Sequence, residues 1–369
     1  MNIKKYPPDY IFLGAVVILF IFGLASLISV SSVISFRDYG DSYYKVKQQI
    51  FHGVVPGFFL FFLFFKLGYE NLKKIVPLLM AGTLLLLVAV LIPSVGLSHG
   101  SARSWLKVGG IVFQPSEIMK LIFILYLSLW FDKRSEKDIK DFYKGFLPFL
   151  ILLGIVCGLI ILQPDLGTAI VIAAVAIFLY FLAGAKKIHL VLIAVLGILA
   201  VFLFFQLASD YQKNRLISFL NPQFDVQGIG YHINQAFLAI GSGGVWGVGF
   251  GQSRQKFLYL PETVGDSIFA IIAEEMGFVV CLLFMLLLSF IIFRGFSIAK
   301  KSRDKFAGFS VMGIMIWLAV QSIVNIGAMV GLLPLTGVTL PLVSYGGSST
   351  AIFLGALGIV TEISCYFKK

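Results

Sequence analysis

Four polar clusters stand directly before apolar runs that could cross a membrane, and each could offer hydrogen-bond donors to an anion. They are Gln114-Pro-Ser-Glu117, Gln163-Pro-Asp-Leu-Gly-Thr168, Val264-Gly-Asp266-Ser and Ser344-Tyr-Gly-Gly-Ser-Ser349. The first backbone N–H groups of a helix have no partner within it, so a helix start carries unpaired donors and the positive end of the helix dipole. Several such starts together would form a site for phosphate or diphosphate.

Each cluster also has a simpler interpretation. Asp165 and Asp266 could be ordinary N-caps and Glu117 part of a capping box, each contributing about 0.5–2 kcal/mol to its helix. Gly346 and Gly347 could serve only to permit close helix packing. Because all four clusters are predicted on the same side of the membrane, a shared site is favoured, and it would include Asp165, Ser344, Gly346, Gly347 and Ser348.

Lys120 is an ionisable residue inside an apolar run. It lies three residues after Glu117 on the same helical face, roughly two turns into the run. Ionisable residues at that depth cost about 2.5–3.5 kcal/mol and normally face a cavity or a partner. Two interpretations stay open: a structural Glu117–Lys120 ion pair, or a phosphate-binding cation in a polar cavity open to the outside. Arg103 adds positive charge near the same entrance.

The elements that must position these residues are ten predicted transmembrane helices. The chain has 369 residues, of which 59% are hydrophobic and 13% charged, far from the composition of a soluble domain. A spanning helix needs roughly 20 mostly apolar residues. An all-α, polytopic membrane domain is therefore predicted over 1–369, with spans at 10–33, 50–66, 75–93, 114–131, 147–162, 168–184, 188–207, 266–293, 308–330 and 347–366.

The placement of Lys and Arg predicts the orientation. Most of the 29 Lys and Arg residues fall in segments that lie inside if the N-terminus is cytoplasmic. Ten spans then place both termini inside and the longest polar segment, 206–265, outside. The net charge of +11 is concentrated in the inner loops, where it sets topology and attracts anionic lipid headgroups, and this placement argues against nucleic-acid binding. The first span is too long for a cleaved signal peptide and is expected to be a retained anchor.

The outer segment 206–265 is predicted to be partly structured. Tyr231 to Ile240 has apolar residues at helical spacing, which predicts a short interfacial helix against the outer leaflet. The glycine-rich stretch from Gly241 to Gly251 is expected to be flexible. Glu274 and Glu275, two turns or more into the eighth span, are also ionisable residues within an apolar run but are harder to assign.

Cysteines and histidines give no pattern typical of a metal centre. Cys157, Cys281 and Cys365 all fall within predicted spans and are expected to be packing residues. The four histidines are scattered and form no ligand pair at helical spacing. We therefore expect neither a disulfide framework nor a built-in metal site.

Seven motifs in order make the chain resemble the SEDS family (shape, elongation, division and sporulation), whose branches are FtsW, RodA and SpoVE. The resemblance covers nearly the whole chain. Two further stretches, Gly251 to Glu262 and Gly331 to Pro341, look more like the division branch, FtsW, than the elongation branch, RodA. The seven motifs are Gly100-Ser-Ala-Arg-Ser-Trp105, Phe113 to Lys120, Gln163 to Thr168, Asn214 to Pro222, Tyr231 to Ala236, Leu260 to Glu275 and Pro341 to Ser349.

The resemblance implies a peptidoglycan glycosyltransferase that polymerises lipid II on the outer face of the plasma membrane of a bacterium. It would work with a class B penicillin-binding protein, which cross-links the new strands, and with other divisome or elongasome membrane proteins. In this family the acidic residue matching Asp266 is taken as catalytic. The residues matching Glu117 and Lys120 line a polar cavity.

The chemistry of that reaction fits the residues. The donor sugar is α-linked to a diphosphate and the polymer linkage is β, so inversion by in-line displacement is expected. Asp266 would act as general base on the attacking 4-hydroxyl. Lys120, Arg103 and the outer helix starts would stabilise the leaving diphosphate. No cofactor is expected to be built in, although a divalent cation (Mg or Mn) could bridge the substrate phosphates.

Other function classes stay open. A transporter that flips lipid II would use the same intramembrane charges and anion-binding helix starts, and it needs no general base. A RodA-type elongation polymerase would share the whole site. A non-catalytic scaffold for division proteins is disfavoured by Lys120, because an ionisable residue within a span is expensive.

Overall fold

A computed structural model describes residues 6–99, 102–207, 219 and 228–366 of the chain. The predictions for Asn214 to Pro222 fall, except for position 219, outside the described residues. A helix stands at each of the ten predicted spans. The long helices are α1 (Tyr10–Tyr39), α3 (Val55–Leu67), α4 (Tyr69–Leu91), α5 (Pro115–Asp132), α7 (Leu147–Ile161), α8 (Leu166–Leu182), α9 (Lys187–Leu207), α11 (Ile268–Lys301), α12 (Lys305–Met329) and α13 (Gly347–Ser364).

Short elements extend or join these helices. Among them, α2 (Tyr44–Gln49) continues through a π-helical turn, Ile50–Val54, into α3, and a second π-helical turn, Phe142–Phe146, leads into α7. The remaining helices are α6 (Glu136–Ile139) and α10 (Ile229–Gly243). Over the described residues, seven helices are long and apolar enough to cross a membrane, and α8 and the first part of α9 are shorter apolar helices. The chain is thus a multi-pass membrane protein.

Ion pairs and hydrogen bonds gather one set of helix ends, which we call the basic end. Lys73 of α4 pairs with Asp132 at the end of α5 (2.7 Å) and with Asp304 before α12 (3.3 Å). Asp9, the N-cap of α1, pairs with Arg294 of α11 at 2.8 Å. These contacts place the ends of α5 and α11 beside the starts of α1, α4 and α12, as a bundle of alternating helices requires.

The centre of the bundle is formed by α5, α12 and α13. Most of α12 and α13 is buried, whereas α3 and α4 expose apolar side chains on their outer faces. Large side chains such as Trp317 and Phe353 fill the centre and meet edge to face at 4.8 Å. Polar groups on these central helices are therefore enclosed by protein rather than by lipid.

A small β-sheet adds to the predicted all-α fold. Strands β1 (Gly96–His99), β2 (Ala102–Val108) and β3 (Ile111–Phe113) pair antiparallel in that order. Gly109 and Gly110, which join β2 and β3, both have positive φ (56° and 86°), and such a two-residue turn fits the twist of a hairpin. These strands fall between the predicted spans 75–93 and 114–131, and they are too short and irregular to show an alternating pattern in the sequence.

The glycine-rich run expected to be flexible is instead packed into a break in α11. The helix is interrupted at Gly277, whose φ is 76° and ψ is −178°. The backbone N–H groups of Val248 and Gly249 donate to the carbonyls of Glu274 and Glu275, both at 3.0 Å. In return, the N–H groups of residues 278 and 279 donate to the carbonyls of residues 244 and 245 at 3.0 and 3.2 Å.

These four bonds supply partners for the carbonyls of residues 274 and 275 and for the N–H groups of residues 278 and 279, which a continuous helix would pair with one another. Glycine is required at positions 243 and 277 because the backbone of residues 243–249 is in direct contact with the backbone of α11 there. A Cβ on Gly277 would lie 2.3 Å from the nitrogen of Gly247, and one on Gly243 would lie 2.0 Å from the carbonyl of Ala273. The predicted interfacial helix is present as α10, and one of its faces packs on α11.

Candidate functional site

The four predicted polar helix starts lie side by side. The side-chain amide of Gln114, before α5, donates to Asp165 Oδ2 before α8 at 2.9 Å. The backbone N–H of Gln114 donates to the hydroxyl of Ser348, in the first turn of α13, at 3.2 Å. The N–H of Tyr345 donates to the carbonyl of Val264, before α11, at 2.8 Å. The starts of α5, α8, α11 and α13 all contribute to this cluster, which we call the outer site after the side on which the sequence predicts it.

Asp165 is an N-cap, as one of its two interpretations proposed. Its Oδ1 accepts the backbone N–H of Thr168 at 3.1 Å. Its Oδ2 accepts from Gln114 and from the hydroxyl of Ser116, the latter at 3.2 Å. Oδ1 therefore caps α8, whereas Oδ2 joins α8 to the start of α5.

Asp266 is not an N-cap. The helix begins at Ile268 with Ser267 in the cap position, and no side-chain cap hydrogen bond is formed there. The Asp266 carbonyl accepts from the side-chain amide of Asn325 at 2.8 Å, while its side chain is partly exposed. The neighbouring Ser267 hydroxyl lies 2.6 Å from His232 Nε2. The backbone at Asp266 is thus held while its carboxylate does not serve to cap the helix.

Lys120 is buried and paired. Its Nζ lies 2.8 Å from Glu117 Oε1 and 3.0 Å from the side-chain oxygen of Gln321, and it faces the Trp317 ring at 5.4 Å from the centroid. Only 3% of the residue is exposed. The structure therefore shows the ion pair rather than a cation in a cavity open to the outside. The other Glu117 oxygen, Oε2, is buried without a hydrogen-bond partner among the described residues.

Two amides of α12 connect this ion pair to Asp266, and the sequence analysis missed both. Gln321 accepts from Lys120 and donates to the carbonyl of Thr339 at 2.8 Å. Asn325, one turn further on, donates to the carbonyls of Val338 and Asp266 at 2.8 Å each. Two amides four residues apart within an apolar helix were the available sequence signal, since polar side chains in spans normally face partners.

Three of the residues predicted for the start of α13 have packing roles. The Ser344 hydroxyl accepts the N–H of Leu340 at 2.8 Å. The N–H of Gly346 donates to the side chain of Gln49 at 2.9 Å. A Cβ on Gly347 would lie 2.9 Å from the carbonyl oxygen of His52. Gly346, Gly347 and Ser348 thus fix the start of α13 against α2, the π-helical turn Ile50–Val54 and the residue before α5.

Arg103 lies on β2, away from the contacts that join Lys120 to Asp266. Its side-chain carbons pack over β1, where a Cβ on Gly96 would lie 3.0 Å from them. Among the described residues, no hydrogen bond or ion pair connects Arg103 with Lys120 or Asp266.

A different cation, Lys45, borders the outer site. Its Nζ lies 5.0 Å from the centroid of the Tyr345 ring. Burial raises the pKa of the Tyr345 phenol, which keeps the ring neutral. The backbone N–H of Tyr345 in turn donates to the carbonyl of Val264, beside Gly265. Sequence reasoning placed Lys45 outside but did not connect it with the site, because the contact joins the start of the chain to its end.

Two residues with strained backbone border the site. Glu262 has φ of 48° and stands four residues before Asp266, and Leu342 has φ of 63° and stands two residues before Ser344. Residues other than glycine held in this region cost about 1–3 kcal/mol each and concentrate at ligand sites. Over the described residues, no group of three or more His, Cys, Asp or Glu side chains is arranged to hold a metal ion.

The comparison with known families decides what kind of protein this is. Residues 10–369 match the family of cell cycle proteins that comprises FtsW, RodA and SpoVE. The chain belongs to this family. It is 40% identical to stage V sporulation protein E of Bacillus subtilis, with both chains covered completely. It is 34% identical to a probable peptidoglycan glycosyltransferase FtsW of Geobacter metallireducens, over 100% of this chain and 96% of the relative.

Solved structures agree with this assignment. A chain of a peptidoglycan synthase complex, solved to show how polymerization and crosslinking are coordinated, matches with a TM-score of 0.79 and 28% identity over 97% of both chains. The rod shape determining protein RodA of Thermus thermophilus matches with a TM-score of 0.70 and 27% identity, over 97% of this chain and 96% of RodA. The SEDS membrane fold predicted from the motifs is therefore confirmed.

Proposed function

We propose that this chain polymerises lipid II into β-1,4 glycan strands on the outer face of the bacterial plasma membrane, with Asp266 as general base. The enzyme class, peptidoglycan glycosyltransferase, follows from the family and from full-length relatives that carry that name. The observation that carries the base assignment is the geometry of Asp266. It lies where four helix starts meet, its backbone is anchored, and its carboxylate is not used as an N-cap.

In this mechanism the chain's residues divide into two tasks. Asp266 accepts the proton of the attacking 4-hydroxyl as that oxygen bonds to the anomeric carbon of the donor sugar. The bond from that carbon to the diphosphate breaks at the same time, and the leaving group takes the electron pair. The positive ends of the helix dipoles and the Lys45 ammonium stabilise the developing negative charge.

Lys120 acts in this proposal through its ion pair. It is too buried to meet the diphosphate directly, so it compensates the charge of the Glu117 carboxylate in the first turn of α5 and holds Gln321 in place. Arg103 contributes long-range positive charge from the β-sheet. A divalent cation, Mg or Mn, would enter with the substrate phosphates rather than through a site built by the protein.

We place the enzyme in septal cell wall synthesis beside a class B penicillin-binding protein. The identity to SpoVE and FtsW proteins, 34–40%, exceeds the 27% shared with RodA. The matched synthase complex, which couples polymerization with crosslinking, supports a transpeptidase partner. Other divisome proteins would complete the assembly.

The test uses purified, reconstituted protein with lipid II, with and without a co-purified class B penicillin-binding protein. Wild type should form glycan strands. Asp266→Asn should remain folded and inserted but lose strand extension by about 100-fold or more, because a general base contributes 10²–10⁴-fold. Retained polymerisation would reject the base assignment. A lipid II flippase would instead show transbilayer movement that Asp266→Asn leaves unchanged, without polymer in either protein.

A further inference from the structure

Two buried carboxylates of α11, Glu274 and Glu275, have no part in the proposed chemistry. Each is only 2% exposed, and they stand just before the break at Gly277. Charged groups at such depth are retained where they have partners. Their partners lie in α1 and in the outer segment 206–265, which we call the outer loop.

The Glu274 carboxylate holds one turn of the outer loop. It accepts the backbone N–H groups of Arg254 at 3.0 Å and Gln255 at 3.3 Å. It also accepts the hydroxyl of Ser253, which in turn accepts the N–H of Lys256 at 3.1 Å. Three backbone donors of this turn are thereby bound directly or through Ser253.

The Glu275 carboxylate forms an ion pair with Lys256 at 2.8 Å. Ser29 of α1 donates its hydroxyl hydrogen to this carboxylate, lying 2.9 and 2.7 Å from its two oxygens. Lys256 also donates to the carbonyl of Gly251 at 2.7 Å. Both charged groups are at least 96% buried, and together they join α1, the outer loop and α11.

The position of this ion pair relative to Asp266 gives it a function. Lys256 stands ten residues before Asp266 and Glu275 nine residues after it. The pair therefore closes a segment that has Asp266 at its middle. Closing the ends of a segment removes much of its conformational freedom. Beside the ion pair, the backbone bonds of residues 248 and 249 to the carbonyls of Glu274 and Glu275 close the same segment a second time.

We infer that the Lys256–Glu275 ion pair is a positioning element for the transfer reaction, which sets where the Asp266 carboxylate stands. Neither residue touches substrate. The inference rests on the proposed role of Asp266 as base. A displacement of a catalytic group by about 1 Å can cost about 100-fold in rate, so loss of the pair lowers kcat while substrate binding, which uses other elements, is retained.

The experiment compares four purified, reconstituted variants with wild type in lipid II polymerisation. Glu275→Gln removes one charge. The double variant Lys256→Met with Glu275→Gln removes both and leaves no unpaired buried charge, so it remains informative if the single variant does not fold. Asp266→Asn is measured in parallel. Arg294→Met, which breaks the Asp9 ion pair at the basic end, is the matched control.

Glu275→Gln and the double variant are expected to lower kcat about 10- to 100-fold, with KM for lipid II within about twofold of wild type. Hydrogen exchange at the amides of Val248 and Gly249 should become faster. Arg294→Met should polymerise as wild type does. A wild-type kcat in the folded double variant, with Asp266→Asn inactive, would overturn the inference and leave the base assignment standing. An active Asp266→Asn would reject both.

Discussion

Among the described residues, two lysine–glutamate pairs are buried, and they are built differently. Glu117 and Lys120 are neighbours on one helix, and Glu117 Oε2 has no hydrogen-bond partner among the described residues. Lys256 and Glu275 come from different segments, and both Glu275 oxygens accept hydrogen bonds. Glu117 Oε2 can therefore accept a further hydrogen bond, whereas both carboxylate oxygens of Glu275 already accept one. We call the second pair saturated for this reason.

This difference separates two roles for a charge inside a membrane protein. A saturated pair between distant segments fixes their relative position, because breaking it leaves buried charges without compensation. A pair within one helix fixes little by itself and gains its position from its surroundings. For Lys120 those surroundings are Gln321 and Trp317 of α12. The position of the Glu117–Lys120 pair thus depends on its contacts with α12. The position of Asp266 depends instead on the outer loop.

The largest effect is expected where the outer loop enters the break of α11. In Gly277→Ala the new Cβ would meet the nitrogen of Gly247 at 2.3 Å, and its φ of 76° is unfavourable for alanine. The free energy of unfolding should fall by about 2–5 kcal/mol, from the left-handed backbone and the overpacking together. Thermal unfolding in detergent measures the change.

Gly109→Ala provides the matched control for that change. Gly109 also has positive φ (56°), but a Cβ there meets nothing within 4 Å. In Gly109→Ala the free energy of unfolding should fall only by the cost of placing alanine in a left-handed backbone conformation, about 1–2 kcal/mol. Equal losses in both variants would show that the loop does not pack tightly into the break.

A smaller effect is expected at the Lys120 pair. Gln321→Leu removes the acceptor of Lys120 and of the Trp317 N–H, and the donor to the carbonyl of Thr339. Leaving these buried groups unpaired should cost about 1–3 kcal/mol in the free energy of unfolding. The rate of polymerisation should also fall, since residues 338–349 lose an anchor. Chemical and thermal unfolding, with the lipid II assay, measure the two changes.

Ser310→Ala is the control within the same helix. The Ser310 hydroxyl is buried without a hydrogen-bond partner among the described residues, so its removal should change stability by less than about 0.5 kcal/mol. If Gln321→Leu changed the free energy of unfolding as little as Ser310→Ala does, the Glu117–Lys120 pair would not depend on α12. The contrast between the two pairs would then not hold.

The sequence predicted the helices because long apolar runs have few alternatives in a membrane protein. It also predicted that four polar helix starts would meet, and the contacts of Gln114 and Tyr345 show that they do. Seven motifs in order, one of them around Asp266, indicated the family, and the family model confirmed it.

Other features depended on contacts between distant residues. The expectation of a flexible glycine-rich run was wrong because glycine suits both disorder and close backbone approach, and only the broken helix decides between them. Gln321, the partner of Lys120 on α12, lies about 200 residues away in the chain, so no local sequence pattern indicates the contact. Asp165 and Ser344 could be assigned to capping and turn formation only from their hydrogen bonds.

The central claim is that residue 266 meets its substrate from outside the cell, and side-specific labelling tests it most directly. Asp266→Cys would be treated in intact cells with a membrane-impermeant maleimide, beside Lys107→Cys as an exposed outer position and Glu136→Cys as an exposed position at the basic end. The account predicts labelling at 266 and 107 but not at 136 until the cells are opened. Labelling at 136 with protection at 266 and 107 would contradict it.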